Sequence, residues 1–356
     1  MKKIDMTKKS SLRYFNWAVI GAGPAGIIAV GKLLDAGIAA DKIVWIDPEF
    51  TVGDIGKKWY DVHSNTKVKS LLEVLTGYRS FNYSAAPDFL LNKLQPEQTC
   101  QLSLVAQPLQ WISNHLTQKV TTITDSVNTL SLYNKKWHIN LNHATVTAKQ
   151  VVLATGSHPK KLSYPIEEIP LETVLNREKL SKEKLAGETI AVFGASHSAI
   201  IALENLLNCH PEKVINIYKY PIKYAVEFDN FTLFDNTGLK GNAAEWAKTH
   251  IDGTVPDNLE RIHFDDQQLE HKLQSCSRVV YAIGFKHTRS FTILPYPTAL
   301  NHNDKNGIIA PGLFGLGVAY PNKVQDPLGN IEYDVGIKKF MKHINNCFPV
   351  WLQYHI

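Results

Sequence analysis

The stretch Trp17-Ala18-Val19-Ile20-Gly21-Ala22-Gly23-Pro24-Ala25-Gly26 constrains the fold of this chain more than any other. An apolar run breaks into glycines spaced G-x-G-x-x-G, and a second apolar segment, Ile27 to Leu34, follows at once. Gly21 makes a tight turn out of a strand, Gly23 lets the backbone approach a pyrophosphate, and Gly26 lets the following helix pack on its strand. The helix N-terminus then offers phosphates free N–H groups and a dipole that favours negative charge. Gly37 closes the helix as a C-cap would. A second strand, Ile43 to Ile46, runs into Asp47-Pro48, about twenty residues past Gly26, where a carboxylate holds ribose hydroxyls. An ordinary βαβ unit with no ligand does not require this combination.

Composition sets the scale. With 356 residues, 44% of them apolar, the chain suits two domain-sized globular units. The net charge of +5 is modest, and Lys2, Lys3, Lys8, Lys9 and Arg13 place much of it ahead of the first strand. Residues 1–15 therefore read as a basic, flexible arm. Arm and apolar run together imitate a signal peptide, but that run contains the glycine turn, which cleavage would destroy. No apolar stretch is long enough to span a membrane. Nucleic-acid binding would rest on the arm alone and is not expected. Cys100, Cys209, Cys276 and Cys347 are scattered singly, with no C-x-x-C pair. Neither a zinc knuckle nor a redox dithiol is written locally, and a reducing, cytoplasmic setting is expected. The histidines show no metal-ligand spacing.

Downstream, Gly53-Asp54-Ile55-Gly56-Lys57-Lys58-Trp59-Tyr60 reads as a loop. Ser64-Asn65-Thr66 supplies N-cap residue types before a helix containing Leu71, Leu72 and Leu75. Residues 78–107 are irregular and aromatic, and Pro108 reads as the start of an amphipathic helix. Val127–Tyr133, Trp137–Leu141 and Thr145–Leu153 form a β-meander, with turn residues Asn134 and Asn142. The last strand runs into Ala154-Thr155-Gly156, small residues that permit close approach to a cofactor or a domain crossover. Residues 157–185 read as a linker.

The opening pattern then recurs. Thr189–Phe193 is a strand, Gly194-Ala195-Ser196-His197-Ser198-Ala199 a small-residue turn, Ile200–Leu207 a helix and Val214–Tyr218 a second strand. This second unit has Lys219 where the first has an acid, and a cation there suits a 2′-phosphate, favouring NADPH over NADH. Val279–Gly284 reads as a buried strand that returns the chain to the first domain. Residues 307–318 read as two strands about Pro311-Gly312, and residues 335–344 as a helix.

This ordered set resembles the two-dinucleotide-binding-domain flavoproteins, the pyridine nucleotide-disulfide oxidoreductase-like superfamily, over nearly the whole chain. The resemblance implies an α/β fold with two Rossmann-like domains, of the three-layer ββα type, the second inserted in the first. Residues 16–157 and 279–356 would form an FAD domain and 158–278 an NAD(P)H domain. Disulfide reductases of this group carry a cysteine pair that is missing here. Gly56-Lys57-Lys58-Trp59 and Ser64-Asn65-Thr66-Lys67 look similar to segments of flavin-containing monooxygenases, and Gly194, Ser198 and Ala199 fit their NADPH turn, with Ser196 replacing its middle glycine. The F-x-G-x-x-x-H signature of that branch is absent, its C-terminal Gly-Asp reads Gly317-Val318, and Val30 stands where a small residue is usual.

Carried onto this sequence, the resemblance implies FAD contacts from Gly21, Gly23, Pro24, Ala25, Gly26, Asp47, Pro48, Trp59, Asn65, Thr66, Val127, Ala154, Thr155, Gly156, Gly317 and Val318. It implies nucleotide contacts from Gly194, Ser196, His197, Ser198, Lys219 and Gly284. Asn65 is the candidate catalytic residue, its amide placed to hydrogen-bond near the flavin ring, with a helix N-cap as its structural alternative. His63 is read as structural. The expected activity passes hydride from NADPH to FAD and then oxygen to a small substrate. Alternatives are a reductase serving a quinone, a small carrier or a protein partner, and a flavoprotein sensor or scaffold with little turnover. Substrate and oligomeric state are not written in the sequence.

Overall fold

The computed structural model describes residues 13–287, 291–295, 301–354 and 356. The chain divides into two compact units, one of residues 1–157, 287–324 and 333–356, the other of residues 158–286 and 325–332.

The first unit grows from β1 (Arg13–Ile20), α1 (Pro24–Asp35) and β2 (Ile43–Asp47). Residues 13–15, expected in the arm, begin β1 instead, because Phe15 is buried; residues 1–12 lie outside the described residues. Beyond Asp47 come α2 (Val68–Leu75), α3 (Ser103–Thr117), β3 (Thr121–Thr124) and the meander β4 (Val127–Tyr133), β5 (Lys136–Leu141) and β6 (Thr145–Leu153). β1 pairs in parallel with β2 on one side and β6 on the other, and β2 pairs in parallel with β3. β6 changes partner along its length. Residues 145–148 pair antiparallel with β5, while Val151–Leu153 pair in parallel with Leu313–Gly315.

Alternation along β1 sorts its side chains into two cores. Trp17 and Val19 face α1, α3 and the C-terminal helix Ile337–Gln353, whereas Ala18 and Ile20 face Leu130, Trp137 and Ile139 of the meander. Helices, parallel sheet and meander are the three layers. The helix layer is pinned by aromatic stacking. Phe314 lies between Trp17 and Trp351, with ring centroids 5.9 and 4.6 Å away. The Trp351 indole N–H donates to the Asn306 carbonyl at 2.6 Å. The C-terminal helix therefore runs well past the expected 335–344, since Cys347, Phe348 and Trp351 continue its buried face.

Two other helix expectations change. α2 is capped by Lys67 and not by Ser64-Asn65-Thr66; the Ser64 hydroxyl instead accepts the Thr66 N–H at 2.9 Å, closing a local turn one residue too early. α3 begins at Ser103, so Pro108 sits inside it, buried against the core.

The second unit is a five-stranded, all-parallel sheet. Its order is Leu259–His263, Lys213–Tyr218, Thr189–Phe193, Arg278–Tyr281 and Glu167–Glu168. The strand expected to return the chain to the first domain thus belongs here, with Val279 and Tyr281 in register with Ala191 and Phe193. Val279 and Val280 are buried on both faces, as an interior parallel strand requires. The expected linker is structured as well. Ile169, Leu171, Val174 and Leu180 are buried, and the Asn176 side chain caps the turn Arg177–Leu180 by accepting the Lys179 N–H at 2.9 Å.

Between β3 and β4, the buried Asp125 carboxylate accepts the Ser126 N–H at 2.7 Å and, from the β5–β6 turn, the His143 N–H at 2.9 Å, with the His143 ring nitrogen 3.3 Å away. Burial pushes this carboxyl up, but those donors outweigh it and hold its pKa below the usual carboxylate range. A depressed carboxyl contributes stability above its unfolded pKa and loses it as pH falls through the folded value. Asp125→Asn is expected to cost about 1 kcal/mol at neutral pH, discounted for the exposed His143 ring. In urea titrations across pH the deficit should narrow as pH falls below the ordinary carboxylate range; a deficit unchanged by acid would contradict the assignment.

Candidate functional site

Each unit presents a cradle of backbone at the carboxyl end of its first strand. In the first, Gly21 has φ +108° and donates its N–H to the Ile46 carbonyl at 2.8 Å. A side chain at Gly21 would overlap the Ala154 carbonyl, and one at Gly26 would overlap the Gly21 carbonyl. Those two glycines let β1, β6 and α1 converge. Gly23 is the N-cap of α1, Pro24 its first residue, and neither a capping side chain nor a first-turn acid occupies that end. The N–H groups of Ala25 and Gly26 have no intrahelical acceptor, so they are available to an anion.

Three segments close on this helix end. Gly317 approaches so nearly that an added side-chain carbon would lie 2.6 Å from the Ala25 side chain. Gly53, with φ +60°, would bring such a carbon within 3.1 Å of the Gly23 backbone. Thr155, whose backbone nitrogen would lie 3.5 Å from a side-chain carbon added at Gly21, carries a buried hydroxyl with no hydrogen-bond partner, beside Gly156 at φ +72°. Glycine approaches, an uncapped helix end and an orphaned hydroxyl fit a dinucleotide whose pyrophosphate takes those donors. The geometry thus brings together Gly21, Gly23, Pro24, Ala25, Gly26, Ala154, Thr155, Gly156, Gly317 and, beside it, Val318. Gly53 went unread in the sequence because its meeting with Gly23 joins two loops distant along the chain.

Asp47 is tied into the turn. One carboxylate oxygen accepts the Ala22 N–H at 2.7 Å, and the other accepts the Glu49 and Phe50 N–H groups at 2.8 and 2.7 Å. Pro48 follows at the rim, and Val127 opens β4 as a buried residue. The carbonyl of Gly21 is capped by the Trp45 indole N–H at 2.9 Å. Trp59 is half-buried in the Gly53 loop, its N–H donating to the Asp54 carbonyl at 2.9 Å. Asn65 is exposed ahead of α2, its side-chain oxygen 3.5 Å from the Thr66 hydroxyl. It is not an N-cap. His63 bonds the Thr99 hydroxyl at 2.8 Å, and burial lowers its pKa, in keeping with a structural role.

The second cradle repeats the first. Gly194 has φ +131°, donates to the Ile217 carbonyl at 2.8 Å, and a side chain there would overlap the Ala282 carbonyl. Ser196 caps the helix His197–Leu207 with φ −100° and ψ −171°, close to the −71° and −179° of Gly23. Replacing the middle glycine therefore keeps the backbone and adds an exposed hydroxyl. His197 and Ser198 form the first turn of that helix. Lys219 follows the second strand, exposed, with its ammonium 5.7 Å from the Tyr220 ring. Gly284 has φ +87° and its carbonyl accepts the Lys160 N–H at 2.9 Å.

Comparison with known proteins shows the family and the fold. The pattern of the pyridine nucleotide-disulphide oxidoreductase family matches residues 18–309. The chain is 32% identical to the monooxygenase AgnR1 of Paecilomyces divaricatus, over 94% of this chain and 97% of that one. Among solved structures, a flavin-containing monooxygenase from Stenotrophomonas maltophilia superposes with a TM-score of 0.63 at 13% identity, covering 96% of this chain and 99% of that one. The bacillithiol disulfide reductase Bdr from Staphylococcus aureus gives 0.60 at 13% identity, with the same coverage.

Thr155→Val separates folding from ligand binding. Replacing a buried, unbonded hydroxyl by a methyl should leave the apo-protein as stable or slightly more so. FAD retention, followed by flavin fluorescence on dialysis, should weaken about three- to tenfold. Unchanged retention would remove Thr155 from the cradle.

Proposed function

The chain belongs to the pyridine nucleotide-disulphide oxidoreductase family, and from that premise we propose a monooxygenase-like activity. Two electrons from NADPH and one proton from solvent reduce molecular oxygen. One oxygen atom enters a small substrate, the other leaves as water, and NADP+ is released. FAD in the first cradle would supply the two-electron redox chemistry and the reaction with oxygen.

The observation that carries this reading is full-length similarity to a monooxygenase in a chain whose cysteines are all unpaired. Burial pushes the thiols of Cys100, Cys209 and Cys276 up, and that of Cys347 to about 12. Such thiols supply little thiolate at neutral pH and are poor candidates for disulfide exchange.

The protein's own part is positional. The first cradle holds the dinucleotide through the N–H groups of Ala25 and Gly26 and the Thr155 hydroxyl, and the second holds the nucleotide through the turn at Gly194 and Ser196. Asn65 contributes an amide that orients substrate or ring by hydrogen bonding. Gly317-Val318, in place of Gly-Asp, and the missing F-x-G-x-x-x-H signature favour a second reading, a reductase that hands electrons to a quinone or carrier.

Incubation with NADPH, isotopically labelled oxygen gas and a panel of small substrates distinguishes the two. The monooxygenase reading expects one labelled atom per product molecule. Rapid NADPH oxidation under nitrogen with a quinone, and no labelled product in air, would establish the reductase. Asn65→Ala should slow oxygen-dependent turnover at least about tenfold, the worth of one well-placed hydrogen bond, while NADPH-driven flavin bleaching stays unchanged.

A further inference from the structure

The two cradles correspond residue by residue through their hydrogen bonds and strand registers. Gly21 and Gly194 each donate to the strand alongside, at the carbonyls of Ile46 and Ile217, which makes Trp45 equivalent to Asn216 and Asp47 equivalent to Tyr218. The strand registers carry the match one strand further, since Trp45 pairs with Thr122 and Asn216 with Arg261. The ribose-binding acid of the first unit is thus a tyrosine in the second, and a threonine of the first is an arginine.

That arginine is unusual. Its Nε donates to the Asn216 side-chain oxygen at 3.0 Å, and Asn216, fully buried, donates in turn to the Gly194 carbonyl at 2.8 Å and the Val192 carbonyl at 3.1 Å. The guanidinium carbon lies 4.5 Å from the centre of the Tyr218 ring. One terminal nitrogen, Nη2, is buried with no hydrogen-bond partner, and Arg261 makes no ion pair among the described residues. The Asp252 carboxylate acts on it only through space and is itself taken by the Tyr224 hydroxyl at 2.5 Å. A half-buried guanidinium whose Nη2 has no acceptor and whose nearest carboxylate is not hydrogen-bonded to it is costly, and an anionic ligand that reaches it recovers that cost.

Lys219 fits less well as the discriminating cation. Its side chain is exposed over Tyr220, and its backbone carbonyl is held by the His263 ring at 3.0 Å.

We propose that Arg261 is the specificity-determining residue of the second cradle, pairing with the 2′-phosphate of NADPH once Tyr218, at the position of the ribose acid, turns aside. The proposal rests on reading the second unit as the NADPH site. Asn216 sets the guanidinium against the turn, so that phosphate recognition and pyrophosphate binding share one hydrogen-bonded line.

Isothermal titration of the FAD-loaded protein with NADPH, NADH and 2′,5′-ADP tests it. Charge-assisted bonds to a phosphate are worth about 1.5–3 kcal/mol, so Arg261→Gln should weaken NADPH and 2′,5′-ADP about ten- to a hundredfold while NADH changes less than about twofold. Arg261→Lys should recover part of the loss, and Lys219→Ala should cost less than about threefold. Tyr218→Asp, which supplies both the ribose acid and a counter-charge for Arg261, should erase the preference for NADPH. Equal loss of NADH and NADPH in Arg261→Gln would show a merely structural role and overturn the proposal, as would wild-type NADPH affinity in that variant. If the wild-type protein binds NADH but neither phosphorylated ligand, Arg261 is not a phosphate site. If it binds none of the three, the reading of the second unit falls, and this inference with it.

Discussion

The contact between Gly21 and the backbone that surrounds it is the constraint on which the first unit depends. β1 must leave the sheet beneath the Ala154 carbonyl, turn, and start a helix whose own first turn lies against the Gly21 carbonyl. No residue with a side chain satisfies both approaches. Trp45 then caps the same carbonyl and Asp47 holds the Ala22 N–H, so the turn is fixed from β2 as well. The helix end cannot be blocked, because its cap is a glycine with no side chain and its first turn carries no acid. A binding surface for an anion follows from how the strands pack.

The second unit reaches the same backbone with different side chains, and the differences are chemically ordered. Where Trp45 caps with an indole, Asn216 caps with an amide, and an amide has an oxygen left over to hold Arg261. Where Asp47 brings negative charge, Tyr218 brings none. On the proposed reading, the first cradle takes a dinucleotide with free ribose hydroxyls and the second takes one bearing an extra phosphate. The two turns share their backbone geometry, and the strands beside them carry different side chains.

Much of this was legible in the sequence because it is local. The spacing of Gly21, Gly23 and Gly26, the apolar periods on either side and the meander at 127–153 each follow from short-range rules. What escaped depends on pairing between distant segments. Gly53 meets Gly23 only when two loops fold together, and Arg261 meets Asn216 only through strand register. The strand at 278–281 runs into Ala282 and Gly284, as either a crossover or an interior strand can, and its partners Ala191 and Phe193 decide the matter. Ser64-Asn65-Thr66 looked like a cap, yet the Ser64 hydroxyl closes its turn one residue too early and leaves Asn65 to solvent.

The most direct test of the account as a whole is an anaerobic titration of the flavin-loaded protein with NADPH, read from the visible flavin absorbance. Two working cradles predict that about one equivalent of NADPH removes the oxidised-flavin spectrum, because a hydride carries the two electrons that a flavin accepts. A flavin spectrum untouched by excess NADPH and by excess NADH would contradict it, leaving the second unit a structural copy of the first.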